Sequence, residues 1–296
     1  MKGGGAECDE SNYTVLRQVI ADKSVIRHVS QHRGPDGSFD LDGNKKIWNS
    51  ALSRFDQIPL WENGAPGYDG RDPLQPQPSL VFIPAQGASG PRSTIIVAHG
   101  GGFESRTGCE GMHVAGFFAR AGFNAAILTY RLKPYSRRDA MHDMQRAIRL
   151  LRARRDELGI TDKIAVMGFS AGGMLSGNCA THYDAGDTAA SDPVERFSCR
   201  PTCSLGYGAF ATVAFPAGIF ADPFKDDDRS EKLYLAPEKN ITCDTPPFFI
   251  WQTNSDDPRN SFVLGAALTE AGVPFELHCF PDGVHGLALA DGNNDL

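Results

Sequence analysis

The stretch Lys163-Ile164-Ala165-Val166-Met167-Gly168-Phe169-Ser170-Ala171-Gly172 decides the fold of this chain. Its first half is an apolar run that predicts a buried strand, and a helix-like segment follows from Gly173. A serine between two glycines at such a strand-to-helix turn is the G-x-S-x-G pattern of a nucleophile. The glycines allow a sharp turn and keep other side chains away from the hydroxyl. Because a serine hydroxyl is a weak nucleophile alone, the pattern requires a base and an anion site elsewhere.

Apolar strands alternate with helical patterns on both sides of this stretch. Strands are predicted at residues 79–83, 94–98, 124–130, 163–167, 201–207, 247–251 and 274–280. Helices are predicted at 13–26, 44–55, 112–121, along the arginine-rich stretch 137–155, after Ser170 and at 260–271. This alternation predicts an α/β fold with a mostly parallel central sheet and helices on both of its faces.

Two segments depart from this alternation and divide the chain. Residues 1–56 form a polar, partly helical N-terminal arm without a chemical signature, ahead of one large α/β domain at 57–296. The arm is expected to be an accessory element or a surface for homo-oligomer formation. Residues 208–240 begin with an aromatic-rich run, and they are expected to form either a lid over the strand ends, where substrates bind, or a plain surface excursion.

Charge and hydropathy argue against several classes of partner. The net charge is −7, so neither a nucleic-acid surface nor a nucleic-acid partner is expected. No run approaches the roughly 18 apolar residues of a membrane span, and no membrane partner is expected. Because the first residues lack the apolar core of a signal peptide, a cytoplasmic location is expected unless a signal has been removed.

The cysteines give no sign of a metal or of disulfide bonds. All seven are scattered along the chain, and an odd, irregular set is typical of reduced structural thiols. Cys199 and Cys203 have no matching second pair, and no H-E-x-x-H helix accompanies them. Neither a metal nor a cofactor is therefore expected.

The stretch 137–155 carries seven arginines on an amphipathic helical pattern. Its apolar face consists of Met141, Met144, Ile148 and Leu151, and its polar face of Arg138, His142, Arg146 and Arg149. We interpret the arginine face as solvated rather than as a binding patch.

The sequence His99-Gly100-Gly101-Gly102-Phe103 directly follows a predicted strand and supplies a candidate anion site. Consecutive glycines let the backbone approach a ligand closely with its amides. Attack on an ester carbonyl creates an oxyanion, and each preorganised amide can stabilise it by roughly 3 kcal/mol. The amide of Ala171, at the start of a helix, is a further donor. A phosphate cradle is the alternative, but neither G-x-x-x-x-G-K-[ST] nor G-x-G-x-x-G occurs.

A base and its orienting acid are expected on loops late in the chain. His285 follows the last predicted strand and is the candidate base, whereas His278, inside that strand, is expected to pack or to face solvent. Asp256 and Asp257 follow the strand 247–251, so the order Ser, Asp, His is that of an α/β-hydrolase. We prefer Asp256, because Asp257 precedes Pro258 and is better placed to cap a helix.

These motifs together resemble the α/β-hydrolase superfamily over about residues 58–290. They are His99–Phe103, Gly168–Gly173, Trp251–Asp256 and Phe280–Leu287, with Ile58–Gly67 and Pro274–His278 as supporting segments. Within the superfamily, the chain is similar to the acetyl-xylan esterase-like carbohydrate acetylesterases, near the hormone-sensitive-lipase-like esterases.

The resemblance implies a role for each matching residue. Ser170 would be the nucleophile, His285 the base and Asp256 the acid of a serine carboxylic-ester hydrolase. The oxyanion hole would consist of the amides of Gly101, Gly102 and Ala171. We also expect the rings beside these motifs, Phe103 and Phe169, to bind substrate.

The expected substrates are short acyl esters, above all acetyl groups on carbohydrates, oligosaccharides or other small molecules. One alternative is an esterase for bulky aromatic acyl groups of the feruloyl or galloyl type, suggested by Phe210, Phe215, Phe220 and Phe224. Others are an aminopeptidase-like amidase, disfavoured by the lack of a propeller domain, and a non-enzymatic binding module, disfavoured by the retained histidine.

Overall fold

Eight strands form one sheet in the part of the chain that the computed structural model describes, residues 10–27, 31–207 and 229–290. They are β1 (Gln57–Pro59), β2 (Ser79–Ile83), β3 (Arg92–Ala98), β4 (Asn124–Thr129), β5 (Ile160–Phe169), β6 (Ser204–Tyr207), β7 (Phe248–Thr253) and β8 (Phe275–Phe280). The order is β1-β2-β4-β3-β5-β6-β7-β8. Only the pairings of β1 with β2 and of β2 with β4 are antiparallel, so the predicted mostly parallel sheet is confirmed.

Helices connect these strands. They are α1 (Glu10–Ala21), α2 (Leu41–Leu52), α3 (Val114–Arg120), α4 (Arg137–Ala153), α5 (Arg155–Leu158), α6 (Ala171–Thr181), α7 (Arg229–Tyr234) and α8 (Arg259–Glu270). The two helices of the arm begin and end earlier than the pattern predicted. For α2 the reason is local, because the Asp40 side chain accepts a hydrogen bond from the amide of Gly43 at 2.8 Å and caps the helix there.

Hydrophobic cores cover both faces of the sheet. Successive residues of a strand point to opposite faces. On one face the sheet packs against α4 and α6, through Leu80, Ile96, Leu128, Met144 and Leu175 among others. On the other face it packs against α1, α2 and α3, through Val81, Val97, Ile127, Leu16, Trp48 and Val114 among others. The central strands β2, β3 and β4 are therefore buried on both sides, as continuous apolar runs indicate.

The N-terminal arm is built into the second of these cores. Leu16 and Trp48 are almost fully buried in the same cluster as the strand residue Val97. The side-chain amide of Asn12 donates to the carbonyl oxygens of Asp56 at 3.0 Å and Phe82 at 3.1 Å. The boundary predicted after residue 56 therefore falls inside a continuous packed region.

The prediction of a solvated arginine face on α4 is wrong for Arg146 and Arg149, whereas His142 on the same face is exposed. Arg146 and Arg149 are both buried. Arg146 forms ion pairs with Asp192 at 2.7 Å and Glu195 at 2.6 Å, and Arg149 forms one with Asp184 at 2.5 Å. The acidic connection between α6 and β6 therefore covers this part of the helix. The sequence periodicity of α4 cannot predict this, because the covering segment is distant in sequence.

We expect Trp48→Ala to lower the free energy of unfolding by about 3–5 kcal/mol, the cost of removing a large aromatic side chain from a core. Lys46→Ala, an exposed position on the same helix, should change it by no more than about 0.5 kcal/mol. Chemical denaturation of both variants measures the difference. Equal stability of the two would contradict the packing of the arm on the sheet.

Candidate active site

Ser170 lies at a sharp turn between β5 and α6. Its backbone angles are φ 52° and ψ −118°, a conformation that L residues rarely adopt. A Cβ atom on Gly168 would lie 1.9 Å from the carbonyl oxygen of Gly172, and one on Gly172 would lie 2.2 Å from that of Ala98. Both glycines of the motif are therefore required by close backbone contacts.

Two backbone hydrogen bonds hold this turn in place. The amide of Ser170 donates to the carbonyl of Tyr207 at 2.9 Å, and the carbonyl of Ser170 accepts from Met174 at 3.0 Å. The first bond joins the turn to the end of β6, and the second starts α6. The serine is thus presented at the carboxyl edge of the sheet, half-buried rather than enclosed.

His285 and Asp256 meet beside that edge. Nδ1 of His285, in the loop after β8, lies 2.6 Å from Oδ2 of Asp256, in the turn after β7. Their side chains are only 11% and 4% exposed. Asp257 instead has a positive φ of 39° and binds the guanidinium of Arg259, with Nε 2.7 Å from Oδ1. Of the two candidate carboxylates, the structure therefore places Asp256 beside the histidine.

Two further side chains orient Asp256, and no motif in the sequence pointed to either. The hydroxyl of Tyr207 donates to Oδ2 at 3.0 Å. The side-chain amide of Gln252 donates to the backbone carbonyl of Asp256, with Oδ2 3.4 Å away. Burial raises the pKa of Tyr207, so the phenol stays a neutral donor. Because the carbonyl of Tyr207 also accepts from the amide of Ser170, one residue joins the turn of Ser170 to Asp256.

The glycine loop after β3 has the conformation that only glycine adopts readily. Gly101 has φ 118° and Gly102 has φ 64°. The carbonyl of Gly101 accepts from the amides of Glu104 and Ser105, both at 3.0 Å, which closes a tight turn. Within the described residues, the amides of Gly101 and Gly102 have no hydrogen-bond partner. The amide of Ala171 opens α6, where the helix dipole favours an anion.

The peptide groups of Gly100 are held on both sides. Its amide donates to Oε2 of Glu110 at 2.7 Å. Its carbonyl lies 2.6 Å from Nδ1 of His99. Nε2 of His99 lies 3.0 Å from Nη1 of Arg106, and a guanidinium can only donate. We therefore assign the proton of His99 to Nδ1, which donates it to Gly100.

His99 is a neutral structural side chain. It is fully buried between the rings of Trp48 and Tyr130, with centroid distances of 4.9 and 4.6 Å. Burial, together with the charge of Arg106, holds the pKa of His99 well below its usual range. The histidine of the glycine motif thus fixes the loop and takes no part in proton transfer.

The structure corrects the expectation that Phe103 and Phe169 bind substrate. Both side chains are buried, at 2% and 1% exposure. Phe103 packs edge-on against Tyr130 at 6.0 Å, and Phe169 packs edge-on against Trp251 at 5.5 Å. The strand and turn geometry around each motif directs these rings into the core.

Some of the residues singled out in the sequence lie outside the part of the chain that the structure describes. The aromatic run with Phe210, Phe215, Phe220 and Phe224 lies outside the described residues, as does Cys8. The six remaining cysteines, all within the described ranges, are free thiols. In those same ranges, no cluster of three or more His, Cys, Asp or Glu side chains could hold a metal ion. There too, no helix has the length and apolar character needed to cross a membrane.

Comparison with known proteins identifies relatives of this chain. The sequence model of the BD-FAE family matches residues 81–197. The structure of an acetyl ester-xyloside bifunctional hydrolase from Caldicellulosiruptor lactoaceticus is 36% identical, with a TM-score of 0.74, and covers 79% of this chain and 89% of that one. Thermogutta terrifontis esterase 2 shares the fold at 23% identity, with a TM-score of 0.61, over 74% of this chain and 84% of that one.

A longer relative is endo-1,4-beta-xylanase B of Butyrivibrio fibrisolvens. It is 28% identical over 304 residues, which include 97% of this chain. The chain spans only 46% of that protein, about half its length.

The fold and these relatives define an α/β-hydrolase. The identity and coverage shared with the Caldicellulosiruptor enzyme show that the chain belongs to the carbohydrate-esterase branch of that superfamily.

The glycine loop offers a matched pair of variants. We expect Gly101→Ala to destabilise the protein by about 1–3 kcal/mol, because its Cβ would meet the carbonyl oxygen of Ser105 at 2.2 Å in a backbone conformation closed to alanine. Gly102→Ala has no atom within 4 Å of its Cβ, so only the positive φ costs energy, about 1 kcal/mol. Thermal and chemical denaturation measure both, and a larger loss for Gly102→Ala would contradict the loop geometry.

Proposed function

We propose that the protein removes short acyl groups, above all acetyl, from carbohydrate or other small esters through an acyl-enzyme on Ser170. The observation that carries the proposal is the 2.6 Å contact between His285 and Asp256 at the sheet edge where the turn of Ser170 lies. The acetyl ester-xyloside hydrolase among the relatives supports the choice of substrate class.

In the proposed mechanism, Ser170, His285 and Asp256 form a catalytic triad that transfers a proton to and from His285. Asp256 accepts from Nδ1 of His285, so Nε2 is the nitrogen that takes the proton of Ser170 as its oxygen attacks the ester carbonyl. The imidazolium that forms gives the proton to the leaving alcohol. Water then attacks the acyl-enzyme with His285 again as the base, and Ser170 is released with the acid product.

The oxyanion of each tetrahedral intermediate is assigned to the amides of Gly101, Gly102 and Ala171. The turn at Gly101 leaves the first two amides without a partner among the described residues, and the third lies at a helix start. Such preorganised donors act without reorientation during the reaction, and removal of one costs about 10²–10³-fold in kcat.

We expect the wild-type protein to hydrolyse p-nitrophenyl acetate faster than the butyrate and feruloyl esters, and Ser170→Ala to lose at least about 10³-fold in kcat/KM. Initial rates with the three esters measure both effects, and circular dichroism checks that the variant is folded. Retained turnover by a folded Ser170→Ala protein would contradict the nucleophile. Preference for the feruloyl ester, or for an anilide, would favour the aromatic-ester or amidase alternative.

The neighbouring carboxylates provide a direct test of the acid. Asp256→Asn should lower kcat on the order of 10³–10⁴-fold, because an amide cannot hold the imidazole in the required tautomer or stabilise its charged form. Asp257→Asn, which removes a carboxylate bound to Arg259 at the surface, should leave kcat within about twofold. The reverse order of effects would identify Asp257 as the acid.

A further inference from the structure

Glu110 is a buried carboxylate next to the proposed active site, and the triad mechanism does not use it. It lies in the π-helical turn Cys109–His113, shortly after the glycine loop, and it is 0% exposed. Oε2 accepts from Gly100, but Oε1 has no hydrogen-bond partner among the described residues. A buried carboxylate with one unpaired oxygen is costly, so its presence calls for a compensating function.

The carboxylate and the nucleophile flank the same glycine. A Cβ atom placed on Gly100 would lie 2.4 Å from Oε2 of Glu110 and 3.0 Å from Cβ of Ser170. The carboxylate and the side chain of Ser170 therefore lie on the same side of Gly100, where a larger residue would place its Cβ atom. Because the carboxylate is fully buried and binds Gly100, it can act on the reaction through the loop and through its charge.

Three side chains interact electrostatically with this carboxylate. Burial raises the pKa of Glu110 to about 7, and the charge of His285 and the amide of Gly100 oppose the rise. Burial and this carboxylate together raise the pKa values of Tyr207, at the end of β6, and Tyr130, just after β4, so both phenols stay neutral. A positive charge on His285 therefore favours the negative form of Glu110.

Taken with the proposed ester hydrolysis, on which it rests, the geometry points to a second function for this carboxylate. We propose that Glu110 is a positioning residue that holds the glycine loop through Gly100 and stabilises the imidazolium of His285 by its negative charge. The charge is useful at the moment when Ser170 transfers its proton, because His285 becomes positive in a site that excludes most water. Asp256 stabilises the imidazolium through its contact with Nδ1, and Glu110 stabilises it through its charge.

The substitution Glu110→Gln tests the charge of Glu110 separately from its contact with Gly100, because glutamine is neutral and has the same shape. Glu110→Gln keeps a carbonyl oxygen that can accept from Gly100, but it removes the charge. We expect kcat to fall by about tenfold, the factor of one pKa unit of charge interaction, with KM unchanged. The acidic limb of the kcat/KM profile should move to lower pH, because the negative charge that stabilises the imidazolium is gone.

Glu110→Ala removes the acceptor as well as the charge, so kcat should fall further than in Glu110→Gln. The control is Glu104→Gln, which changes an exposed carboxylate of the same loop, paired with Lys133 at 3.0 Å. It should leave kcat and the pH profile unchanged. All variants are compared on an ester that the wild-type enzyme hydrolyses, with active sites titrated by an organophosphate, so only correctly folded protein is counted.

Stability gives an independent readout of the same carboxylate. The raised pKa means that folded Glu110 keeps its proton up to about pH 7, whereas the unfolded chain loses it near its ordinary value of 4.5. Between these values unfolding releases a proton, so wild-type stability falls as the pH rises. Glu110→Gln should lack this decrease and have the higher Tm at pH 8.

Two results would overturn the proposal. One is a Glu110→Gln enzyme with wild-type kcat and an unshifted acidic limb, even if its Tm rises. The other is a Glu110→Ala enzyme with the same kcat as Glu110→Gln, which would show that the hydrogen bond with Gly100 does not hold the loop. Absence of ester hydrolysis by the wild-type enzyme would instead contradict the proposed function.

Discussion

The close packing of the turn at Ser170 is the constraint on which the rest of the site depends. The backbone of Gly172 approaches the end of β3 so closely that no Cβ fits, and Ser170 adopts a conformation that costs on the order of 1–3 kcal/mol. The strain persists because the amide of Ser170 is bound to Tyr207 and its carbonyl starts α6. Core packing on both faces of the sheet keeps the backbone of this turn from relaxing to a conformation of lower energy.

Adjacent parallel strands then bring the remaining groups to the same edge. In the order β3, β5, β6, β7 and β8, neighbouring strands end respectively in the glycine loop, Ser170, Tyr207, the turn of Asp256 and the loop of His285. Because the strands run in one direction, all these loops leave the sheet on one side, the usual location of ligand sites in such folds. Residues far apart in sequence thereby become hydrogen-bond partners.

Support for the glycine loop comes from the N-terminal arm. The side chain of Asn44 binds both backbone groups of Arg106, at 2.7 and 2.8 Å, and Trp48 packs edge-on against His99. Arg106 in turn reaches His99, which holds the carbonyl of Gly100. The arm therefore supports the loop whose amides the proposed mechanism assigns to the oxyanion. Substitution of Asn44 or Trp48 is expected to affect activity as well as stability.

Local patterns predicted the fold well where they reflect local geometry. The alternation of strands and helices predicted the mostly parallel sheet, and the arm helices were misplaced only at their ends. The burial of Arg146, Phe103 and Phe169 was not predictable, because it depends on segments that pack against them from elsewhere. Tyr207 and Glu110 carry no motif, since neither a tyrosine ending a strand nor a glutamate in a turn is distinctive.

The sequence by itself determined the order of elements, the turn at Ser170 and the short set of residues able to form the site, because glycine spacing and apolar runs act through neighbouring residues. Only the tertiary structure decided that Asp256 rather than Asp257 meets His285, that the arm belongs to the core, and that Glu110 binds the amide of Gly100. Each of these depends on which backbones pack together across the sheet, and that packing is a property of the whole chain.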